Sequence, residues 1–67
     1  MKIEEFEKQW KASERIVKMV YLSNNNICFA QRWGVSKDIG YADLYILVAG
    51  NSFKVCQINL ADVVEVE

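Results

Sequence analysis

The sequence predicts a mainly β fold, with one N-terminal α-helix followed by five antiparallel strands bent into a small barrel. Three observations predict it. An apolar stripe at helical spacing is confined to the first dozen residues, β-branched and aromatic runs follow from residue 15 onward, and Asn- and Gly-rich turn signals separate those runs. With 67 residues the chain forms one domain, 1–67. A chain this short buries only about 60% of its unfolded surface, which excludes a large catalytic cleft between two domains.

The helix is placed at residues 2–12. Ile3, Phe6 and Trp10 fall at i, i+3 and i+7, and Glu4 with Lys8 and Glu7 with Lys11 form i, i+4 pairs in the favourable order. At roughly three turns it is marginal alone, so its stripe must dock on something. Residues 15–66 then supply the strands. Arg15 to Leu22 is rich in β-branched and aromatic side chains and ends at Ser23-Asn24-Asn25-Asn26, where an Asn pair suits a hairpin turn of the primed type. Ile27 to Trp33 pairs back, and Gly34 to Gly40 reads as a loop or a bent strand end. Tyr41 to Ala49 is the most hydrophobic stretch and the expected central strand. Gly50-Asn51-Ser52 is a turn signal, Phe53 to Asn59 a fourth strand, and the alternating Asp62 to Glu67 a short last one.

Composition narrows function by what it lacks. The chain is 52% apolar and 25% charged, the balance of a folded domain. It contains no histidine, the usual general base and commonest metal ligand. Cys28 and Cys56 have no further Cys or His to complete a zinc site. Each lies in an apolar stretch, so reduced, structural thiols and a cytoplasmic location are expected; one disulfide is the alternative. The acidic start, Met1 to Glu7, lacks the apolar core of a secretory signal, and no apolar run approaches the ~20 residues of a membrane span. There is no Gly-rich phosphate loop and no nucleophile beside a base, so neither catalysis nor a cofactor or metal is expected. Residues 1–37 carry seven Lys and Arg against four Glu, net +3, and residues 38–67 one Lys against five acids, net −4. That asymmetry favours head-to-tail self-association or one basic face, unless the halves interleave in space.

The run Ile58-Asn59-Leu60-Ala61-Asp62-Val63-Val64-Glu65-Val66 resembles the closing strands of the Sm-like (Sm/LSm/Hfq) family, which read as isoleucine, a tight turn, an Asn or Asp, and then aliphatic residues. Ile16 to Leu22 is similar to the family's first strand and Ser23 to Asn26 to its polar hairpin. Ala30 stands where the family often has a glycine for its bent second strand. Gly40-Tyr41 followed by Leu44-Tyr45-Ile46-Leu47-Val48 resembles the glycine-aromatic pair and third strand. The match, over about residues 3–66, lies in topology and aliphatic pattern that other SH3-like barrels share. Three features depart from it. Tyr45 replaces the RNA-contacting Asn, Asn59-Leu60 replaces the Arg-Gly or Lys-His pair, and the loop between strands two and three is longer. The resemblance implies an SH3-like/Sm-like barrel, a ring of five to seven subunits joined by edge pairing of strand four with strand five of the next, and RNA as ligand. An open barrel with two strand edges is independently suited to a closed ring.

Single-stranded RNA needs aromatic platforms and local positive charge. The candidates are Tyr45 and Asn59, from the resemblance, with Arg32, Trp33 and Tyr41. The competing reading is a small protein-binding inhibitor or adaptor of the mobile-element type. It would act through a strand edge or through Phe6 and Trp10 as an interface.

Overall fold

The computed structural model describes residues 1–67. Helix α1 spans Ile3–Ala12, close to the predicted range. Glu4 and Glu5 sit in its first turn, where the helix dipole favours negative charge, and Lys11 closes its last turn. Of the two expected ion pairs, Glu7 and Lys11 meet at 3.1 Å. The Lys2 position carries no side-chain cap. Instead the Met1 ammonium donates to the Leu60 carbonyl at 2.6 Å, tying the helix start to the C-terminal part of the chain.

Six strands follow: β1 (Lys18–Leu22), β2 (Ile27–Ala30), β3 (Arg32–Val35), β4 (Tyr41–Val48), β5 (Asn51–Asn59) and β6 (Val63–Val66). They form two antiparallel three-stranded sheets, ordered β2-β1-β6 and β3-β4-β5. The fold is therefore mainly β with one N-terminal helix, and the expectation of five strands in a barrel needs two corrections. The second predicted strand is divided at Gln31, whose N–H already donates to the Tyr45 carbonyl at 2.8 Å, so the chain leaves one sheet and enters the other within a single residue. β5 and β6 do not pair, so the sheets do not close into a barrel. The chain between them makes a short 3₁₀ turn, Leu60–Asp62, capped by the Asn59 side chain accepting from the Ala61 N–H at 3.0 Å.

Both hairpins differ in detail from the sequence reading. At Ser23 to Asn26 only Asn25 takes a positive φ, 69°, where a primed two-residue turn needs two such residues. The two-residue turn occurs instead at Ala49 and Gly50, with φ of 51° and 81°, and β5 starts directly after it at Asn51. β1 begins at Lys18, three residues later than expected, leaving Ile16 82% exposed.

Cross-strand partners share a sheet face, and the register shows which residues look inward. Val20 lies opposite Cys28 and Val66, Ala42 opposite Ile58, and Leu44 opposite Cys56 and Trp33. Together with Phe6 and Trp10 from α1, the inward residues form the core. Phe6, fully buried, packs between two tryptophans. Its ring centroid is 4.9 Å from that of Trp33, edge-on, and 5.9 Å from that of Trp10. Gln9 fastens the helix to the last strand, its Oε1 accepting from the Val66 N–H at 2.8 Å. Ten residues are buried, whereas eleven large apolar residues stay exposed, among them Ile27, Phe29, Phe53, Val55 and Val64. That ratio leaves apolar surface on the strands that the chain itself does not cover.

Candidate functional site

The outer face of the β3-β4-β5 sheet gathers most of the predicted binding residues. Arg32, Tyr45 and Lys54 lie opposite one another on three adjacent strands and so share that face as a row. Tyr45 is half-buried, its ring lying over Gly34 at an ordinary contact distance of 3.7 Å from where a Cβ would stand. Arg32 is exposed, and its Nη1 lies 3.4 Å from the Ser52 Oγ. Arg32, Trp33, Tyr45 and Ser52 line a shallow cleft of about 280 Å³.

Trp33 belongs to this cleft only by its rim. It shares the inward face with Leu44, and its ring abuts Phe6 from below, so its main contact is with the core. Tyr41 and Asn59 form a second group. They are cross-strand partners four residues along β4 from Tyr45, a displacement of roughly 13 Å at ~3.3 Å per residue. Both line a larger cleft of about 730 Å³ between the 36–40 loop, the 59–61 turn and the start of α1. Val35 and Ile39, 70% and 100% exposed, stand at its rim, and its charged side chains are Lys2, Glu4 and Asp38.

Between the two groups lies Asp43, on the same face as Tyr41 and Tyr45. Its Oδ1 is buried and makes no hydrogen bond of good geometry, but the Lys54 ammonium sits 3.1 Å away. Lys54 therefore compensates Asp43, and Arg32 is the cation of the row without a carboxylate partner. Gln57, opposite Asp43 on this same face, holds the Asp38 carboxylate beside it, its Nε2 donating to Oδ2 at 2.8 Å.

Phe6 and Trp10, the expected interface residues, are corrected in position. They are 0% and 9% exposed, because an isolated three-turn helix stays folded only by burying its apolar stripe, and here the stripe lies on the sheets. The Lys18 ammonium, 5.9 Å from the Trp10 ring centre, covers the remaining edge. A partner contact has to use other side chains.

Two groups are displaced from their ordinary titration ranges. Burial, with the nearby Cys28 thiol, pushes Cys56 up to about 11. Tyr21 is raised by desolvation and by the Glu67 carboxylate beside it. No group of three or more His, Cys, Asp or Glu side chains is placed to hold a metal ion. The sequence reading did not single out Lys54 and Ser52. Their place opposite β4 depends on the Ala49-Gly50 turn and on a register shift between Leu44 and Tyr45, which leaves Val55 without a partner. Neither is legible from alternation alone. No protein-family model, curated protein or solved structure matches the chain.

Proposed function

We propose that this protein is a non-enzymatic, self-assembling binding module of Sm-like character that takes single-stranded RNA on the outer face of its β3-β4-β5 sheet. The observation that carries the reading is the row Arg32-Tyr45-Lys54, an aromatic ring set between two cationic side chains. Bases stack on such rings irrespective of identity, and the Arg32 guanidinium, which has no carboxylate partner, meets the phosphates while Lys54 is held by Asp43. Tyr41, about 13 Å away beside Asn59, offers a second ring at a spacing that one or two nucleotides bridge. The Asp43 carboxylate between them directs the phosphate path towards the Arg32 side.

The Sm-like part rests on shape. β2 and β3 together read as one strand bent at Gln31, beside the fully buried Ala30, where any larger side chain would have to displace the core. Counted so, there are five strands after a helix. β5 pairs only with β4 and β6 only with β1, so the β5 edge is open and that of β6 is open apart from the Val66 N–H held by Gln9, and both carry exposed apolar residues, Phe53 and Val55 on one and Val64 on the other. Edge pairing of β5 with β6 of the next copy, repeated around a ring of five to seven, would cover them. A second reading, a protein-binding adaptor that captures a partner strand, is favoured by the same open β5 edge. In it, Phe6 and Trp10 take no part.

Native mass by size exclusion with light scattering at physiological salt separates the two. A particle of five to seven copies supports the ring, and a monomer or dimer overturns it. Anisotropy of a labelled mixed-sequence single-stranded RNA then tests the site. Affinity that falls with salt and drops several-fold in Tyr45→Ala supports RNA binding on this face, and no binding by the wild-type protein refutes it.

A further inference from the structure

The 36–40 loop holds one apolar side chain out in solvent on a fixed support. The Tyr41 N–H donates to the Asp38 carbonyl at 3.1 Å, closing a four-residue turn with Ile39 second and Gly40 third, and Gly40 takes a φ of 84°, the sign a type II turn requires at that place. Further hydrogen bonds anchor both ends. The Ser36 N–H donates to the Tyr41 carbonyl at 3.2 Å, the Asp38 N–H to the Ser36 Oγ at 3.1 Å, the Leu60 N–H to the Gly40 carbonyl at 2.8 Å, and the Gln57 amide to the Asp38 carboxylate at 2.8 Å. Ile39 is nonetheless 100% exposed. A side chain presented on a loop already tied down in this way has little ordering entropy left to lose when a partner covers it.

Beside this knob lies a hole, the cleft of about 730 Å³, walled by Ile3, Leu60 and Ala61 with Val35 and Ile39 at its rim. A projection and a hollow on one face are what an isologous twofold contact needs, since each copy must both insert and receive. The charges fit the same arrangement. The α1 wall carries Lys2 and Glu4, and the loop carries Lys37 and Asp38, so the face holds two charges of each sign. Set antiparallel, the α1 wall of one copy meets the loop of the other, with Lys2 opposite the partner's Asp38 and Glu4 opposite the partner's Lys37. We propose that this cleft is a docking surface for a second copy of the chain, in which Ile39 of each copy enters the cleft of the other and the two sets of charges pair across the twofold axis. The apolar centre supplies the affinity and the rim charges set the register. A polyanion would meet Glu4 and Asp38 as well as the two lysines, whereas a second copy answers both signs. Tyr41 and Asn59 belong to the cleft wall, so a docked copy shields them and leaves the Arg32-Tyr45-Lys54 row open. The contact uses neither the β5 nor the β6 edge, and it therefore stands or falls apart from the ring; where both form, two rings stack face to face.

The test is light scattering on the full chain in a dilution series starting at about 100 μM, which fills a contact of micromolar Kd. A dimer is expected, or twice the ring's copy number if the ring also forms. Ile39→Glu should halve that mass with thermal unfolding unchanged, because the side chain is fully exposed in its own chain. Lys2→Glu and Asp38→Lys should each weaken self-association several-fold, and an equimolar mixture of the two should restore it, since every mixed pair again sets opposite charges across the axis. A role inside a single chain gives no such rescue. A monomer, a particle whose mass Ile39→Glu leaves unchanged, or charge variants that do not rescue one another would each overturn the proposal. A ring of five to seven copies insensitive to Ile39→Glu removes this contact and keeps the ring, whereas a plain dimer split by Ile39→Glu keeps the contact and removes the ring.

Discussion

Removing the Phe6 ring tests the central packing argument, that α1 is held by burying its stripe inside this chain and not by a partner. Phe6 is fully buried and touches both Trp10 and Trp33. Truncating a buried phenylalanine to alanine costs about 3–5 kcal/mol, and losing two aromatic contacts, each about 0.5–1.5 kcal/mol, puts Phe6→Ala towards the upper end of that range. A domain of this length has a total stability of roughly 3–10 kcal/mol, at ~0.05–0.15 kcal/mol per residue. Phe6→Ala should therefore unfold much of the population at room temperature, while Phe6→Leu, which preserves most of the volume, should cost about 1–1.5 kcal/mol and remain measurable. Urea unfolding followed by tryptophan fluorescence reports on both, because the two tryptophans flank the deleted ring. The measurement is made at two protein concentrations tenfold apart. If Phe6→Ala loses less than about 1 kcal/mol, or if the loss vanishes on dilution, the helix is not docked as described and the intramolecular argument fails.

Three further outcomes follow from particular contacts. Phe53→Lys places a charge on the open β5 edge at a residue 52% exposed, so the native particle mass should fall while monomer stability changes by only about 0.5 kcal/mol; an unchanged mass would remove this edge from assembly. Asn59→Ala deletes the cap on the Ala61 N–H and should cost about 1 kcal/mol in thermal or urea unfolding, with a loss below a few tenths arguing against the cap. For pH, folding raises Cys56 from 9.0 to about 11, so the folded chain keeps a proton that the unfolded chain releases. The associated stability is fully present below pH 9 and is lost as pH rises from about 9 to about 11. Replacing Cys56 by Ser should flatten that decline, and an identical pH profile in the variant would count against it.

Much of the secondary structure was legible because it rests on local physics. The 3.6-residue stripe of Ile3, Phe6 and Trp10 announced a helix that ends within a residue or two of its predicted limits. The β-branched runs announced strands, and Gly50 marked the turn into β5. The break at Gln31 was legible only as the bend that the resemblance implies at Ala30, because local propensity does not say where a strand changes sheet. It arises from Gln31 donating to β4 while Ala30 fills the inside of the bend. The candidate site was legible in part. Arg32, Tyr41 and Tyr45 were chosen by chemistry and by resemblance and do share one sheet face, whereas Trp33 looks the other way because strand side chains alternate. Lys54 escaped notice because one unpaired residue, Val55, shifts the register that brings it opposite Tyr45.

By itself, the sequence determined a mainly β chain led by one helix, with its strands and its aromatic and cationic candidates, since propensity and periodicity act over a few residues. Only the tertiary structure decided where each face points. It buried Phe6 and Trp10 and left β5 and β6 unpaired with each other. Those outcomes depend on register and on contacts between residues far apart in the chain, and a shift of one position in a strand turns every side chain to the opposite face.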